Sequence, residues 1–176
     1  SIEMWLNVNG RFPEKTVLIE GLTNGNELSI CDIDGDSDQD IVFTETGDPG
    51  LTTGWLNLMT NDGTGHFTRR YIDPDYIGVQ AVRTVDLDQD GDMDIVTGAL
   101  FQLGIVWCDT AWYENDGSES FTRHIIDTNL LGGSDIDVGD MDNDGDLDVL
   151  WGDVSAYNFG WYENDGNQNF TFVEID

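Results

Sequence analysis

Short apolar runs recur along the chain and are separated by clusters of Asp, Asn and Gly. Four kinds of run follow one another: a run before an aspartate-rich segment, a β-branched run directly after it, a run led by Trp, and a run that begins Phe-Thr. Short apolar runs bounded by turn residues are typical of β-strands, and no stretch of helical length shows a 3.6-residue period. The pattern therefore predicts an all-β chain.

Three sequence markers repeat in one register. The aspartate-rich segment begins at Asp32, Asp86 and Asp140, so its period is 54 residues. An Asn-Asp-Gly turn, whose Asn and Gly tolerate positive φ, joins the third run to the fourth. Ile-Asp or a close variant ends each unit, at residues 18–20, 71–73, 125–127 and 174–176. A repeated unit of four antiparallel strands predicts blades of a β-propeller.

The repeat assigns the whole chain, residues 1–176, to a single propeller segment of about three and a half blades. A partial blade with only the third and fourth strands spans 4–20, and full blades span 24–73, 78–127 and 132–176. Because three and a half blades do not close a ring, further blades are expected from a longer chain or from other chains. The chain has no initiator Met and no signal peptide, which agrees with a mature form or an excerpt.

The aspartate-rich segments follow the pattern Asp-x-Asp-x-Asp-Gly-x-x-Asp, with carboxylates at loop positions 1, 3, 5 and 9 and a carbonyl ligand at position 7. This many hard oxygen ligands suits Ca²⁺, whereas Mg²⁺ needs a stricter octahedron and Zn²⁺ prefers His or Cys. The pattern predicts three Ca²⁺ sites between the first and second strands of the full blades. They are formed by Asp32, Asp34, Asp36, Asp38 and Asp40; by Asp86, Asp88, Asp90, Asp92 and Asp94; and by Asp140, Asp142, Asp144, Asp146 and Asp148.

Two other interpretations of these loops are an acidic solvated turn without metal and a helical calcium module such as an EF-hand or a dockerin-like loop. Clustered carboxylates repel one another unless a counterion is present, which disfavours the first. A helical module requires a following helix and usually Glu at position 12. This chain has Phe43, Thr97 or Trp151 there, after β-branched or apolar residues, so each loop is expected to lead into a strand.

The first loop differs from the others at position 6, where positive φ is expected. It has Ser37, whereas the other loops have Gly91 and Gly145. A non-Gly residue with positive φ costs on the order of 1–2 kcal/mol. The sequence therefore predicts that the first site binds Ca²⁺ about tenfold more weakly than the others.

The aspartate ladder with its following Ile-Val, together with the downstream Trp-Tyr-x-Asn-Asp-Gly-x-x-x-Phe, resembles the FG-GAP/VCBS repeat family over nearly the whole chain. Related blades form the calcium-binding propeller of integrin alpha subunits and of several secreted proteins. The literal Phe-Gly and Gly-Ala-Pro motif is absent, so the integrin branch is the weaker match, and Ser37 departs from the family's Gly. The resemblance implies a secreted or cell-surface module for adhesion, lectin-like binding or scaffolding.

The charge balance excludes several partners. The chain has 36 acidic and 6 basic residues, a net charge of −30. Nucleic acid is excluded because phosphate binding needs clustered Lys and Arg, and anionic membrane surfaces are disfavoured for the same reason. No apolar run is long enough to span a bilayer, so direct membrane insertion is not expected. The acidity also fits a saline habitat.

No catalytic constellation is apparent in the sequence. His66 and His124 are expected on the surface, and P-loop, dinucleotide and Gly-x-Ser-x-Gly motifs are absent. Cys31 and Cys108 lie in apolar runs and are expected to be buried free thiols. We therefore expect a protein that is not an enzyme. The alternatives are a carbohydrate-active lyase or hydrolase built on the propeller, and a structural repeat that assembles with other chains.

The loops between second and third strands are the expected ligand face. They span about 45–54, 98–110 and 152–160 and differ between blades, and binding residues tend to lie on variable loops of a repeated scaffold. Their aromatic side chains can stack on sugar rings or anchor a protein, unless they pack between blades. The candidate ligand residues are Phe101, Tyr157 and Phe159, with Tyr76 from the loop at 74–80. The leading hypothesis is a calcium-stabilised binding or scaffolding module whose ligand is a carbohydrate or a protein.

Overall fold

The computed structural model describes residues 1–47, 53–99, 109–128, 133–153 and 158–175. These residues form fourteen β-strands and no helix, so none of them belongs to a helix that could cross a membrane. The strands are β1 (Ile2–Val8), β2 (Arg11–Ile19), β3 (Gly25–Cys31), β4 (Asp40–Thr46), β5 (Gly54–Asn61), β6 (Phe67–Asp73), β7 (Val79–Val85), β8 (Asp94–Ala99), β9 (Thr110–Asn115), β10 (Phe121–Asp127), β11 (Gly133–Gly139), β12 (Asp148–Asp153), β13 (Asn158–Asn164) and β14 (Phe170–Ile175).

The strands form an N-terminal hairpin, β1–β2, and three four-stranded antiparallel sheets. Sheet 1 is β3–β6, sheet 2 is β7–β10 and sheet 3 is β11–β14, and within each sheet every strand pairs with the next one in sequence. The all-β class and the four-stranded repeat are therefore confirmed. Each sheet lies inside one of the predicted units. The turn glycines Gly63, Gly117 and Gly166 have φ between 73° and 75°, as the Asn-Asp-Gly motif predicts.

The core lies between neighbouring sheets. The first strands β3, β7 and β11 lie side by side, which brings one sheet against the next. Strands β4 and β8 are buried at every position because the inner strands are covered on both faces. One apolar cluster joins sheets 1 and 2 around Leu58 and Val82, a second joins sheets 2 and 3 around Val96 and Trp151, and a third joins the hairpin to sheet 1.

The Ile-Asp marker has a structural role between sheets. Asp73 at the end of β6 accepts a hydrogen bond of 2.8 Å from the Tyr113 hydroxyl in sheet 2. Asp127 at the end of β10 accepts one of 3.1 Å from the Tyr162 hydroxyl in sheet 3. In sheet 1 the position of Tyr113 is taken by Met59, which has no hydroxyl to donate. The marker and the Trp-Tyr motif therefore recur together because they bond across the junction.

Cys31 is a buried free thiol, as predicted. Burial raises its pKa to about 11, because an apolar environment disfavours the thiolate. Cys108 lies outside the described residues.

Candidate metal centres

Each aspartate-rich loop connects the first and second strands of a four-stranded sheet, as predicted. The loops join β3 to β4, β7 to β8 and β11 to β12, and the Asp at position 9 is the first residue of the second strand. All three loops lead into a strand, not a helix. This geometry excludes the helical calcium module among the described residues.

Regular hydrogen bonds orient the carboxylates within each loop. In the first loop Asp32 accepts from the Ser37 N–H at 2.9 Å, Asp34 from the Asp36 N–H at 3.2 Å, and Asp36 from the Asp38 N–H at 2.9 Å. The same three bonds occur in the second and third loops at 2.9–3.2 Å. Each of these bonds uses one carboxylate oxygen and leaves the other available to a cation.

Carboxylate oxygens from different positions converge in every loop. One oxygen each from Asp32, Asp34 and Asp36 lie within 4.8 Å of one another, and the same is true of positions 1, 3 and 5 in the second loop. In the third loop the converging oxygens come from positions 1, 3 and 9, which are Asp140, Asp142 and Asp148. The predicted ligands at position 9 of the first two loops and at Asp144 lie outside these groups of three.

Each of the first two loops contains a buried carboxylate oxygen that has no hydrogen-bond donor among the described residues. Asp32 Oδ1 and Asp86 Oδ1, both at position 1, are buried and accept no hydrogen bond from the described residues. An unsatisfied buried acceptor costs roughly 1–3 kcal/mol, and more when it is charged. A hard cation would remove this penalty, and an all-oxygen donor set is what Ca²⁺ takes. The residues therefore fit a calcium ion on grounds independent of the sequence motif.

The pKa values of several loop carboxyl groups are raised by burial and by the neighbouring carboxylates. Burial raises the pKa of Asp40 and Asp34, and it raises the pKa of Asp94 to about 6. Neighbouring carboxylates raise these values further, because each added negative charge disfavours the next. A bound cation would oppose both effects.

The aspartate at position 9 has a structural role besides being a candidate ligand, which the sequence did not suggest. It acts as a latch, a carboxylate that accepts one hydrogen bond from its own loop and one from the Asn-Asp-Gly turn. Asp40 Oδ2 accepts from the Ile33 N–H at 3.0 Å, and its Oδ1 accepts from the Asn61 N–H at 2.7 Å. Asp94 and Asp148 make the equivalent pairs of bonds at 2.8–3.1 Å. The latch ties each loop to the Asn of the Asn-Asp-Gly motif. The constant spacing of the two motifs was the signal that could have revealed it.

Position 7 is directed away from the centre of the loop. The carboxylates of Asp38, Asp92 and Asp146 lie against the glycine of the Asn-Asp-Gly turn, where an added Cβ would collide with them. A larger residue at the turn would have to displace this carboxylate as well as adopt positive φ, so glycine is favoured on both counts. Only the backbone carbonyl of position 7 is then left for a metal, which agrees with the role assigned to it from the pattern.

Two positions in each loop have positive φ, not one. Position 6 does so in all three loops, as predicted, and includes Ser37 at φ 78°. Position 4 does so as well, which the sequence analysis missed. The pairs at positions 4 and 6 are Gly35 with Ser37, Gln89 with Gly91, and Asn143 with Gly145. Every loop therefore has one glycine and one other residue at these positions.

The candidate ligand residues have different environments. Phe101 and Tyr157 lie outside the described residues. Phe159 lies in β13 and is 64% exposed. Tyr76 is 4% exposed, its hydroxyl lies 3.0 Å from Thr97 Oγ1, and the Arg123 guanidinium covers its ring at 4.7 Å. Tyr76 is therefore a core residue and not part of an exposed ligand face. The loop turns its side chain inward between sheets 1 and 2.

Comparison with known proteins supports the interpretation of the repeat. Residues 32–97 match the family model of the FG-GAP-like repeat. This span begins at the first aspartate loop, includes β4 to β7 and the second loop, and extends into β8. A search of curated proteins gave no match. The resemblance inferred from the motifs is thus confirmed over residues 32–97, which are similar to the FG-GAP-like repeat.

Proposed function

We propose that the chain is a calcium-stabilised segment of an extracellular β-propeller that acts by binding or scaffolding. The observation that carries the calcium assignment is the buried Oδ1 of Asp32 and of Asp86, which accepts no hydrogen bond from the described residues. When bound, Ca²⁺ would neutralise the converging carboxylates. The protein's own contribution is the set of loop hydrogen bonds, which hold these oxygens in place.

The side-by-side first strands support the propeller arrangement. In a propeller the first strand of each blade lies nearest the axis, and β3, β7 and β11 are adjacent in that order. Arg83 on β7 forms ion pairs with Glu27 on β3 and with Asp135 and Asp137 on β11. One cation thus links the inner strands of all three sheets. Blades beyond these three would come from a longer chain or from further chains.

Calcium binding should appear as added stability. A ligand that binds only the folded state stabilises it by RT ln(1 + [L]/Kd), about 2.7 kcal/mol per site at a concentration of 100 Kd. Calorimetric titration of the chelated protein should give three Ca²⁺ ions per chain, with a parallel rise in melting temperature. Asp86→Asn should remove one ion and leave two. Absence of binding heat, or a melting temperature that is the same in Ca²⁺ and in chelator, would refute the proposal.

The ligand is proposed to be a carbohydrate or a protein, bound without catalysis. Phe159 is the described aromatic candidate with an exposed ring, so Phe159→Ala should weaken binding on a glycan array in Ca²⁺ and leave the melting temperature nearly unchanged. Tyr76→Ala is the matched core variant and should cost about 3–5 kcal/mol of stability. Turnover of any polysaccharide in a panel of acidic and neutral polymers would favour the enzyme instead.

A further inference from the structure

The junction between sheets 1 and 2 contains an arginine in a defined setting near its outer edge. The Arg70 guanidinium, on β6, donates to the Glu119 carboxylate at 2.9 and 3.1 Å and to the Glu119 carbonyl at 2.8 Å. It also lies over the Phe121 ring, with its Cζ 5.6 Å from the ring centroid. The junction thus offers a guanidinium an acceptor pair on one side and an aromatic face on the other.

The junction between sheets 2 and 3 repeats this setting without the arginine. The Phe-Thr motifs align His124 with Arg70, Gln168 with Glu119, and Phe170 with Phe121. The backbone agrees, because Glu119 and Gln168 have φ of 59° and 57° in corresponding turns. Among the described residues no cationic side chain lies over Phe170.

His124 does not fill the place of the arginine. Its ring stacks on Trp112 with centroids 4.6 Å apart, and its Nε2 lies 2.7 Å from Glu114 Oε2. The side chain is therefore held against its own sheet and makes no hydrogen bond to the described residues of sheet 3. A cavity of ≈ 250 Å³ is left between the two sheets.

The lining of this cleft suits a cation with a flat face. Trp112, His124 and Phe170 contribute rings, Gln168 an amide and Glu114 a carboxylate, and the candidate calcium ligand Asp88 of the second loop also lines it. A guanidinium stacks on aromatic rings and donates to carboxylate and carbonyl oxygens together, which a compact ammonium does less well. The cleft is smaller than the pockets that hold drug-sized ligands, so it fits one side chain better than a whole ligand.

We propose that this cleft binds the guanidinium group of an arginine side chain presented by a partner protein or peptide. The arginine would occupy the place between sheets 2 and 3 that Arg70 occupies between sheets 1 and 2. The chain's charge of −30 favours the approach of such a cationic segment. The proposal concerns a site apart from the exposed aromatic residue Phe159.

Titration by NMR with N-acetyl-arginine methylamide tests the proposal, with the uncharged citrulline analogue as the matched probe. The titration is done in saturating Ca²⁺, because Asp88 is also a candidate ligand in the second loop. Calorimetry measures calcium binding separately, so a failure of the calcium proposal can be told apart from a failure of this one. Saturable shifts at the Trp112 indole are expected with the arginine probe alone. His124→Arg should fill the cleft from within and weaken binding by about tenfold or more.

Thr68→Arg adds the same charge at an exposed position of β6 and serves as the control. It should bind the arginine probe as the unmodified protein does. Glu114→Gln should weaken binding of the arginine probe by removing the carboxylate acceptor. Equal binding of the arginine and citrulline probes would overturn the proposal, as would undiminished binding to a folded His124→Arg protein.

Discussion

The two positive-φ positions of each loop change the expected ranking of the calcium sites. Considered at position 6 alone, Ser37 makes the first site the weakest by about tenfold. However, the first loop has Gly35 at position 4, where the second loop has Gln89. The first and second loops thus carry one strained residue each. We now expect their Ca²⁺ affinities to agree within about threefold, since the difference in strain is a fraction of 1 kcal/mol.

The third loop should carry the smallest penalty. Its non-glycine residue is Asn143 at φ 65°, and Asn adopts this region at lower cost than Ser or Gln. Replacing the residue by glycine relieves roughly 1–2 kcal/mol of strain in Ser37 or Gln89 and loses roughly 0.5–1 kcal/mol through the freer unfolded chain. Ser37→Gly and Gln89→Gly should therefore each stabilise by about 0.5–1 kcal/mol, and Asn143→Gly should change little.

Urea unfolding of the Ca²⁺-saturated protein measures these differences, and a gain of about 1 kcal/mol should also raise Tm by roughly 2–4 °C at this chain length. Gln39→Gly is the matched control, because Gln39 is an exposed residue of the first loop without positive φ. It should destabilise by about 0.5–1 kcal/mol through chain entropy alone. If Ser37→Gly destabilises as much as Gln39→Gly does, the strain argument is wrong.

Three further results are expected. Asp40→Asn removes one of the two acceptors that hold the loop to the Asn-Asp-Gly turn, so it should destabilise the protein both in Ca²⁺ and in chelator. Asp36→Asn removes a candidate metal ligand and should destabilise the protein in Ca²⁺ alone. Thermal unfolding under both conditions measures the difference, and equal behaviour of the two variants would refute it. Tyr113→Phe should lower the free energy of unfolding in urea by about 1–3 kcal/mol, because the Tyr113 hydroxyl donates to the Asp73 carboxylate. The exposed Tyr71→Phe is the control, and an equal loss in the two variants would show that the Tyr113 hydrogen bond does not stabilise the fold. Cys31, with its pKa raised to about 11, should not react with iodoacetamide at about pH 8 until the protein unfolds. Peptide mass mapping follows the labelling, and rapid labelling of the folded protein would show that the thiol is accessible.

The periodic features of the molecule could be predicted from the sequence, and the features that depend on neighbouring sheets could not. Strand order, loop placement and positive φ at position 6 all follow from local motifs that recur in one register. The burial of Tyr76 depends on where sheet 2 lies, because the ring packs beside Tyr113 and beneath Arg123. A loop aromatic has the same sequence pattern whether it faces solvent or the next sheet.

Local pattern also could not distinguish the three loops by their surroundings. The residue at position 2 is 2% exposed at Ile33 and 1% exposed at Leu87 but 39% exposed at Met141. The first loop lies against sheet 2, because Ile33 packs in the apolar cluster between sheets 1 and 2 and its carbonyl accepts from Asn115 Nδ2 at 2.9 Å. Identical motifs therefore acquire different burial from what is packed against them.

Asn115 shows how neighbouring loops can be coupled in this fold. Its N–H donates to Asp94 Oδ1 at 2.8 Å, and its Nδ2 donates to the Met93 carbonyl at 3.1 Å as well as to Ile33. One side chain thus contacts the second loop directly and the first loop across the sheet junction. Displacement of either loop would strain bonds that the other loop needs. The Asn residues of the other two turns donate from Nδ2 to Gln39 and Leu147 of their own loops, so this bond across the junction is specific to the first and second loops. A cation bound in either of these two loops would therefore be expected to stabilise the junction between sheets 1 and 2.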